Sequence, residues 1–463
     1  MNSARKSSID AVTEPVNSGL SPISCDIFCN VIDNYGDIGV CWRLARQLVN
    51  EYGLAVRLWV DDLASFAKLC PDADVAAEQQ NCRGVEVRLW RKSFAEVQPA
   101  ELVIEAFACK LPDSYIEVMA AQDHEPFWIN LEYLSAEEWV ESHHKLPSPH
   151  PSLPLTKYFF FPGFTSKTGG LLRERDLLAR RDAFQCDMAK QQAFWRSLGI
   201  AMPAAQTLKV SLFAYENAAL HGLFDVWASG TQPVLCLVPE GRILPQVGRY
   251  FGDAAPLVGK AYERGMLQVR VLPFVEQDRY DELLWACDVN FVRGEDSCVR
   301  ALWAGKPFIW HIYPQHDAVH LKKLEAFLML YGKQLGSRTS EAVQGLWQAW
   351  NGGDLRIPTP FDPPLSGGRA QSPPGGWEVF NGAGQAASTK PSVLSAVEGS
   401  GQAWPAFMAV RAELERHNQS WARQLAENDL ALNLLDFCKE IGRMRALENE
   451  DSKHENSTRS SRG

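Results

Sequence analysis

The sequence predicts an α/β protein made of two successive halves, each a parallel β-sheet covered by helices on both faces, with the halves facing each other across a cleft. Three observations carry this expectation. The chain has 463 residues, too long for one core at about 150 residues per domain. Short apolar runs of strand length alternate with stretches of helical periodicity, and continuous apolar strands separated by crossovers belong to sheets buried on both faces. A charged helical stretch from Arg173 to Gly199 splits these runs into two series. Composition agrees, since 46% hydrophobic residues with 15 Trp and 22 Phe can fill large cores, while 22% charged residues suit a soluble surface.

Along the chain, Cys25–Ile32 (CDIFCNVI) reads as the first buried strand, and Val40 onward has helical spacing that ends at Gly53. The turn between them is DNYGDIG, Asp33–Gly39. Further strands are expected at Val56–Val60, Val85–Trp90, Leu102–Ala108, Phe127–Leu134 and Lys157–Phe164. The second series opens at Leu208–Tyr215 and continues through Val234–Gly241, Val269–Val275, Cys287–Gly294 and Pro307–Pro314. This organisation predicts a flexible extension over 1–22, a first domain over 23–175 and a second over 176–362. Residues 363–402 hold 8 Gly, 5 Pro and 6 Ser, a composition that buries too little surface to offset its ordering entropy, so a disordered insertion is expected there. Helical periodicity returns over 403–447, as helices packing back on the domains, and 448–463 reads as a disordered tail.

The net charge of -10 lacks the basic footprint of a protein that grips a phosphate backbone, so direct nucleic-acid binding is not expected. Eleven cysteines without a CxxC pair fit buried thiols in a reducing cytoplasm. The polar first residues are not a signal peptide, and no apolar run is long enough to span a membrane.

Three constellations can carry chemistry. In DNYGDIG, Gly36 and Gly39 allow close backbone approach, while Asp33 and Asp37 can face one cleft at a strand end. The spacing is not GxGxxG, and a plain reading is also available: Asp37 caps a helix starting near Ile38, and Asp33 and Asn34 make an Asx-turn. In RGEDSCVRALWAGKP, a strand end and a short turn bring Arg293, Glu295, Asp296 and Ser297 to a helix N-terminus, a ready anion site. There too a simple cap competes. Thirdly, Phe213, Tyr215 and Phe274 at strand ends, with Gln277 and Tyr280 beyond, can sandwich and edge-bond a flat base. His311, His316 and His320 cluster in sequence, but HDAVH lacks the Glu of the helical zinc motif and a third ligand, so no metal site is expected. GxSxG and GxxxxGK[ST] are absent.

Together, IDNYGDIGVCWRLARQL, FFFPGFTSKTGGLLRE, SLFAYEN, LPFVEQD and RGEDSCVRALWAGKPFIWHIYPQ resemble the family of protein-arginine rhamnosyltransferases (EarP) that modify translation elongation factor P. The likeness runs from about Cys25 to Trp347, with the C-terminal helical region also comparable. It implies a GT-B glycosyltransferase with two Rossmann-like domains, moving L-rhamnose from dTDP-β-L-rhamnose to an arginine of that factor with inversion and without a metal. By motif, Asp37 would be the general base, Asp33 its essential neighbour, and Glu295 a third member of the catalytic set. Phe213, Tyr215, Phe274, Gln277 and Tyr280 would hold the thymidine, and Asp296 and Ser297, with Glu295, Arg293 and Tyr313, the diphosphate and rhamnose. Asn34, Tyr35, Gly36 and Gly39 would form the backbone turn near the donor. A transferase with another nucleotide sugar or a small acceptor, and a non-catalytic nucleotide-sugar sensor, are the alternatives.

Overall fold

In a computed structural model the described residues are 23–33, 35–91, 94, 97–314, 319–352 and 393–460, with nothing described of the side chains of 393–400 and 448–460. The expected extension over 1–22 and residues 363–392 of the expected insertion lie outside them, as do 353–362.

The first domain runs β1 (Ser24–Cys29), α1 (Gly36–Tyr52), β2 (Ala55–Val60), α2 (Leu63–Leu69), β3 (Gln79–Cys82), β4 (Val85–Leu89), β5 (Leu102–Ala106), α3 (Asp113–Ala120), β6 (Phe127–Leu131), α4 (Trp139–His143), β7 (Pro147–Pro149) and β8 (Thr156–Phe160). Its sheet has the order β3-β4-β2-β1-β5-β6-β8-β7. After the linking helices α5 (Leu177–Cys186) and α6 (Met188–Ser197), the second domain runs β9 (Leu208–Leu212), α7 (Leu220–Ser229), β10 (Val234–Pro239), α8 (Leu244–Tyr250), β11 (Ala261–Arg264), β12 (Leu267–Leu272), α9 (Gln277–Ala286), β13 (Val289–Arg293), α10 (Gly294–Ala304), β14 (Phe308–His311), α11 (Val319–Gly332) and α12 (Ser337–Asn351). Its sheet order is β11-β12-β10-β9-β13-β14.

Leaving aside the antiparallel β3, β7 and β11, both sheets are doubly wound, with strand order reversing beside β1 and beside β9. Ligands of such sheets bind past the carboxyl ends of the strands at the reversal. That rule singles out the segments after β1, β9 and β13. The expected parallel strands all form, and all but β2 are shorter than their apolar runs. Phe213–Tyr215, Phe274–Val275 and Val31–Ile32 pass beyond the sheets as loops, and of these Phe213, Phe274, Val275 and Ile32 line cavities there. The three antiparallel strands carry no apolar alternation; β3 (QQNC), for example, is a short polar edge, which protects a sheet from further pairing.

The C-terminal helices divide between the domains. Trp404 and Phe407 of α13 (Val393–Ala409) and Leu414 and Trp421 of α14 (Arg411–Leu425) join the core of the second domain with Trp227, Phe291 and Trp350. Leu430, Leu434, Phe437 and Ile441 of α15 (Leu430–Ser460) join the first with Ile27, Cys41 and Ile104. Two boundaries need correction. Residues 393–402, expected to be disordered, form the first part of α13, a helix that lies against α7 and α12. The expected disordered tail is helical to Ser460, because extending an established helix avoids the cost of nucleation. All eleven cysteines are free, and all but Cys109 and Cys186 are buried. Among the described residues no helix is long and apolar enough to cross a membrane.

Candidate active site

The turn after β1 is tightly held. Helix α1 begins at Gly36 with Tyr35 at the cap position, so Asp37 lies inside the first turn and does not cap a helix starting near Ile38. Its Oδ2 instead accepts the backbone N–H groups of Ile32 (2.9 Å) and Asp33 (2.8 Å), pinning the preceding loop to the helix. The side chain is buried, and burial pushes its carboxyl up to about 6; the two N–H bonds oppose that shift, while the charges of Asp33 and Glu295 add to it. Asp33 reaches the other domain, where its Oδ2 accepts the Tyr215 hydroxyl at 2.6 Å. Glycine is needed twice around it. A Cβ on Gly36 would stand 2.8 Å from Asp33 Oδ2, and one on Gly294, at φ +63°, 3.1 Å from the same atom. Asn34 lies outside the described residues.

The second domain supplies the opposite wall. Arg293 ends β13 and the chain turns at once into α10, so Glu295, Asp296 and Ser297 occupy a first helical turn with no separate loop before it. No side chain caps that helix. The acids are used elsewhere: Glu295 Oε2 accepts the Leu134 N–H at 2.7 Å and its Oε1 the Lys323 ammonium at 2.7 Å, while Asp296 Oδ1 accepts Arg43 Nε at 2.7 Å. Arg293 is 4% exposed, and its Nη1 has no partner among the described residues. Its guanidinium lies over the rings of Phe213 (4.5 Å), Tyr215 (4.7 Å) and Tyr35 (5.8 Å). A buried, unpaired guanidinium beside a helix N-terminus is an arrangement that an anion completes.

The aromatic group converges as expected but does not form a sandwich in this conformation. Phe213 and Phe274 meet edge to face at 76°, with centroids 6.5 Å apart, and Tyr35 of the first domain packs on Phe274 at 4.6 Å. Tyr280 packs on Phe213 at 5.8 Å, and burial raises its hydroxyl, which lies beside Ser297. Gln277 Nε2 donates to the Gly39 carbonyl at 2.8 Å, so this end of the slot is also closed against the first domain. The remaining cavity is about 40 Å³, lined by Tyr35, Phe213, Phe274, Gln277, Tyr280 and Arg293 among others, and is too small for a nucleobase in this conformation. A second cavity of about 240 Å³ shares Asp33 and Gly36 with it and continues to Asp37, Tyr133, Glu295, Trp310, Tyr313 and Lys323.

The sequence reading missed the charges that join the walls. Arg43 on α1 is 1% exposed; besides Asp296, it lies 3.4 Å from Glu174 and 3.7 Å from Asp281, both also held by Arg300. Arg46 bonds Asp278 at 2.9 Å, and Arg83 pairs with Asp278 and Glu276. The available signal was WRLARQL itself, where two arginines fall among Trp42, Leu44, Ala45 and Leu48. Tyr133 and Lys323 carried no motif. Among the described residues no three His, Cys, Asp or Glu side chains gather as a metal site would require. His311 is buried against Tyr215, and burial lowers its imidazole to about 3. His316 lies outside the described residues, and His320 lines the larger cavity.

Comparison with known proteins now places the chain. Residues 25–439 match the family model for the Elongation-Factor P (EF-P) rhamnosyltransferase EarP. A protein-arginine rhamnosyltransferase of Pseudomonas putida is 56% identical over 327 residues, covering 70% of this chain and 86% of that protein. One from Neisseria meningitidis is 39% identical over 343 residues, covering 72% and 85%. A solved structure concerned with EarP-mediated arginine glycosylation of translation elongation factor EF-P aligns with TM-score 0.58 at 37% identity, covering 90% of this chain and 99% of that one. Family match, relatives and the two facing doubly wound domains agree: the chain belongs to the EF-P rhamnosyltransferase (EarP) family and is a glycosyltransferase of GT-B fold.

Proposed function

We propose that the protein transfers L-rhamnose from dTDP-β-L-rhamnose to one arginine side chain of translation elongation factor P in the cytoplasm, inverting the anomeric centre. The single observation that carries the donor half is Arg293, a buried guanidinium with an unpaired Nη1 at the start of α10. A diphosphate would satisfy it, with Ser297 and the free N–H groups of the helix as further donors. Phe213, Tyr215, Phe274, Gln277 and Tyr280 would receive the thymidine once Tyr35 moves off Phe274. Asp296, neutralised by Arg43, would be left to meet sugar hydroxyls without repelling the phosphates.

Three carboxylates, Asp33, Asp37 and Glu295, line the larger cavity, and a planar guanidinium suits such a set. In a single displacement, a guanidinium nitrogen attacks the anomeric carbon from the face opposite the diphosphate. The C–N bond forms as the C–O bond breaks, the electron pair leaves with dTDP, and Asp37 takes the proton released by the nitrogen. With Asp37 at about 6 and arginine above 12, full deprotonation before attack would still cost about 9 kcal/mol. Proton transfer therefore accompanies bond formation, after the carboxylates have oriented the guanidinium and localised its electrons. Loss of dTDP needs no step beyond stabilisation of its growing charge by Arg293 and the helix end.

The test is mass spectrometry of purified elongation factor P incubated with the protein and dTDP-rhamnose, which is expected to show one added deoxyhexose on one arginine. An unmodified factor, or equal transfer from other nucleotide sugars, would remove the proposal. Because Asp37 lies on the first domain and Arg293 on the second, a folded acceptor resting on the first domain would gain most of its orientation from that surface. A short peptide containing the target arginine is then expected to be a far poorer substrate than the intact factor, and equal rates at matched concentrations would point to a small-acceptor transferase. For the donor, Phe274→Ala is expected to weaken dTDP binding by roughly 1–3 kcal/mol, measured by calorimetry. Unchanged affinity would leave Phe274 as a packing residue for Tyr35 alone.

A further inference from the structure

Lys323 stands where the proposed chemistry has no need of a cation. It lies in α11, and its ammonium donates to Glu295 Oε1 at 2.7 Å. It also lies 5.5 Å from the centroid of the Tyr133 ring, whose own position is fixed by stacking on Phe107 at 4.4 Å and 16°. Both members of the Lys323–Glu295 pair are under one-fifth exposed. The cavity they line holds two more carboxylates, Asp33 and Asp37, and the charge of Glu295 adds to what burial already does in raising the Asp37 carboxyl. A carboxylate on one side and an aromatic ring on the other are the two contacts a guanidinium seeks.

Resting on the function proposed above, we infer that Lys323 is a resident stand-in for the acceptor guanidinium: it neutralises Glu295 while the cavity is empty and is displaced from Glu295 Oε1 when the arginine enters. Three features support displacement over a fixed structural pair. Glu295 Oε2 is already taken by the Leu134 N–H, so Oε1 is the oxygen that an incoming guanidinium must use. A guanidinium entering there competes with the Lys323 ammonium for that oxygen, and like charges at such short range repel. Lysine, moreover, is a compact, strongly hydrated charge on a flexible stem, and can swing toward water at less cost than an arginine could. Lys323 is on this account a positioning and selectivity residue. It keeps the carboxylates from standing unpaired, and it sets a threshold that a weaker-binding acceptor side chain does not pass.

The experiment is a double-replacement cycle between enzyme and acceptor. Binding of elongation factor P to the unaltered protein, to Lys323→Met and to Lys323→Arg is measured by calorimetry. Each is measured with the natural factor and with a factor whose modified arginine, located by mass spectrometry, is replaced by Ala. Lys323→Met keeps the aliphatic stem on the ring and removes the charge; Lys323→Gln serves as a second neutral variant should Met perturb the fold, which circular dichroism reports. The neutral variant is expected to bind the natural factor at least five-fold more tightly, to show no gain with the arginine-less factor, and Lys323→Arg to show no gain with either. Equal or weaker binding of the natural factor would overturn the inference, as would a gain of the same size with the arginine-less factor. So would a raised KM for dTDP-rhamnose with unchanged acceptor binding, which would assign Lys323 to the donor. No rhamnosylation by the unaltered protein would sink the underlying function together with this inference. Rhamnosylation without an arginine-dependent gain would sink the inference alone.

Discussion

Asp37→Asn is expected to lower kcat by on the order of 100- to 10,000-fold, the range that a positioned proton acceptor contributes, while making the protein more stable at pH 8. Both effects follow from one cause. The fold raises the Asp37 carboxyl from its ordinary 3.8 to about 6, mainly through burial. A raised acid favours the folded state when protonated. Its contribution is therefore fully present below about pH 4 and lost as the pH rises through about 6. At pH 8 the ionised group costs roughly 3 kcal/mol by linkage. Asn has nearly the same volume, carries no charge, and can accept the Ile32 and Asp33 N–H bonds through its amide oxygen, so part of that cost is recovered. The checks are melting curves and steady-state rates. The variant should melt higher than the unaltered protein at pH 8, with the difference shrinking toward pH 5. In the unaltered protein, kcat/KM should fall as the pH drops through about 6. A variant with near-normal turnover would return Asp37 to a role in holding the turn. A variant that melts lower at pH 8 would show that its backbone hydrogen bonds outweigh its buried charge.

What the sequence disclosed, and what it withheld, follows from range. Strands such as Ile27 and Ile104 in the first sheet and Val210 and Phe291 in the second were legible because burial on both faces leaves an unbroken apolar run. The site motifs were legible because each is local, a strand end running into a turn or a helix start. Contacts that depend on one domain meeting the other were not. Nothing near Asp296 announces Arg43, 253 positions away, and nothing near Asp33 announces Tyr215, 182 positions away. The local alternatives failed for the same reason. Asp37, Glu295 and Asp296 looked like caps of their own helices, yet Glu295 and Asp296 bond across the cleft and Asp37 bonds back to its loop. The error over residues 393–402 is of this kind too. Gly and Ser content argues against a helix in isolation, while the groove against which α13 lies is formed by segments far earlier in the chain.

Arg43 is where the cost of breaking such a long-range contact should be greatest for stability. Its side chain leaves α1 to meet Asp296, Asp281 and Glu174, and Arg300 meets the last two from the other side, so two guanidiniums hold three carboxylates out of water. Burial alone would raise the Glu174 carboxyl, but the charges of Arg300 and Arg43 overcome it and hold that group far below its usual range. Removing Arg43 leaves three acids on one cation, and breaking a buried pair from one side typically costs 3–5 kcal/mol. Arg43→Gln is therefore expected to lower stability by about that amount, read from urea unfolding at pH 8, and to loosen the contact between α1 and α10. The loss should be partly recovered in Arg43→Gln/Asp296→Asn, because the second change removes one of the stranded charges, with a coupling on the order of 1–3 kcal/mol between the two sites. Lowering the pH should narrow the gap between Arg43→Gln and the unaltered protein. With Arg43 gone, Glu174 protonates more readily, whereas in the unaltered protein its ionised form continues to stabilise the fold at pH values well below 4.5. Additive losses in the double variant, or a gap that does not change with pH, would mean that Arg43 acts by filling space between α1 and α10 and not by balancing the acids at the mouth of the site.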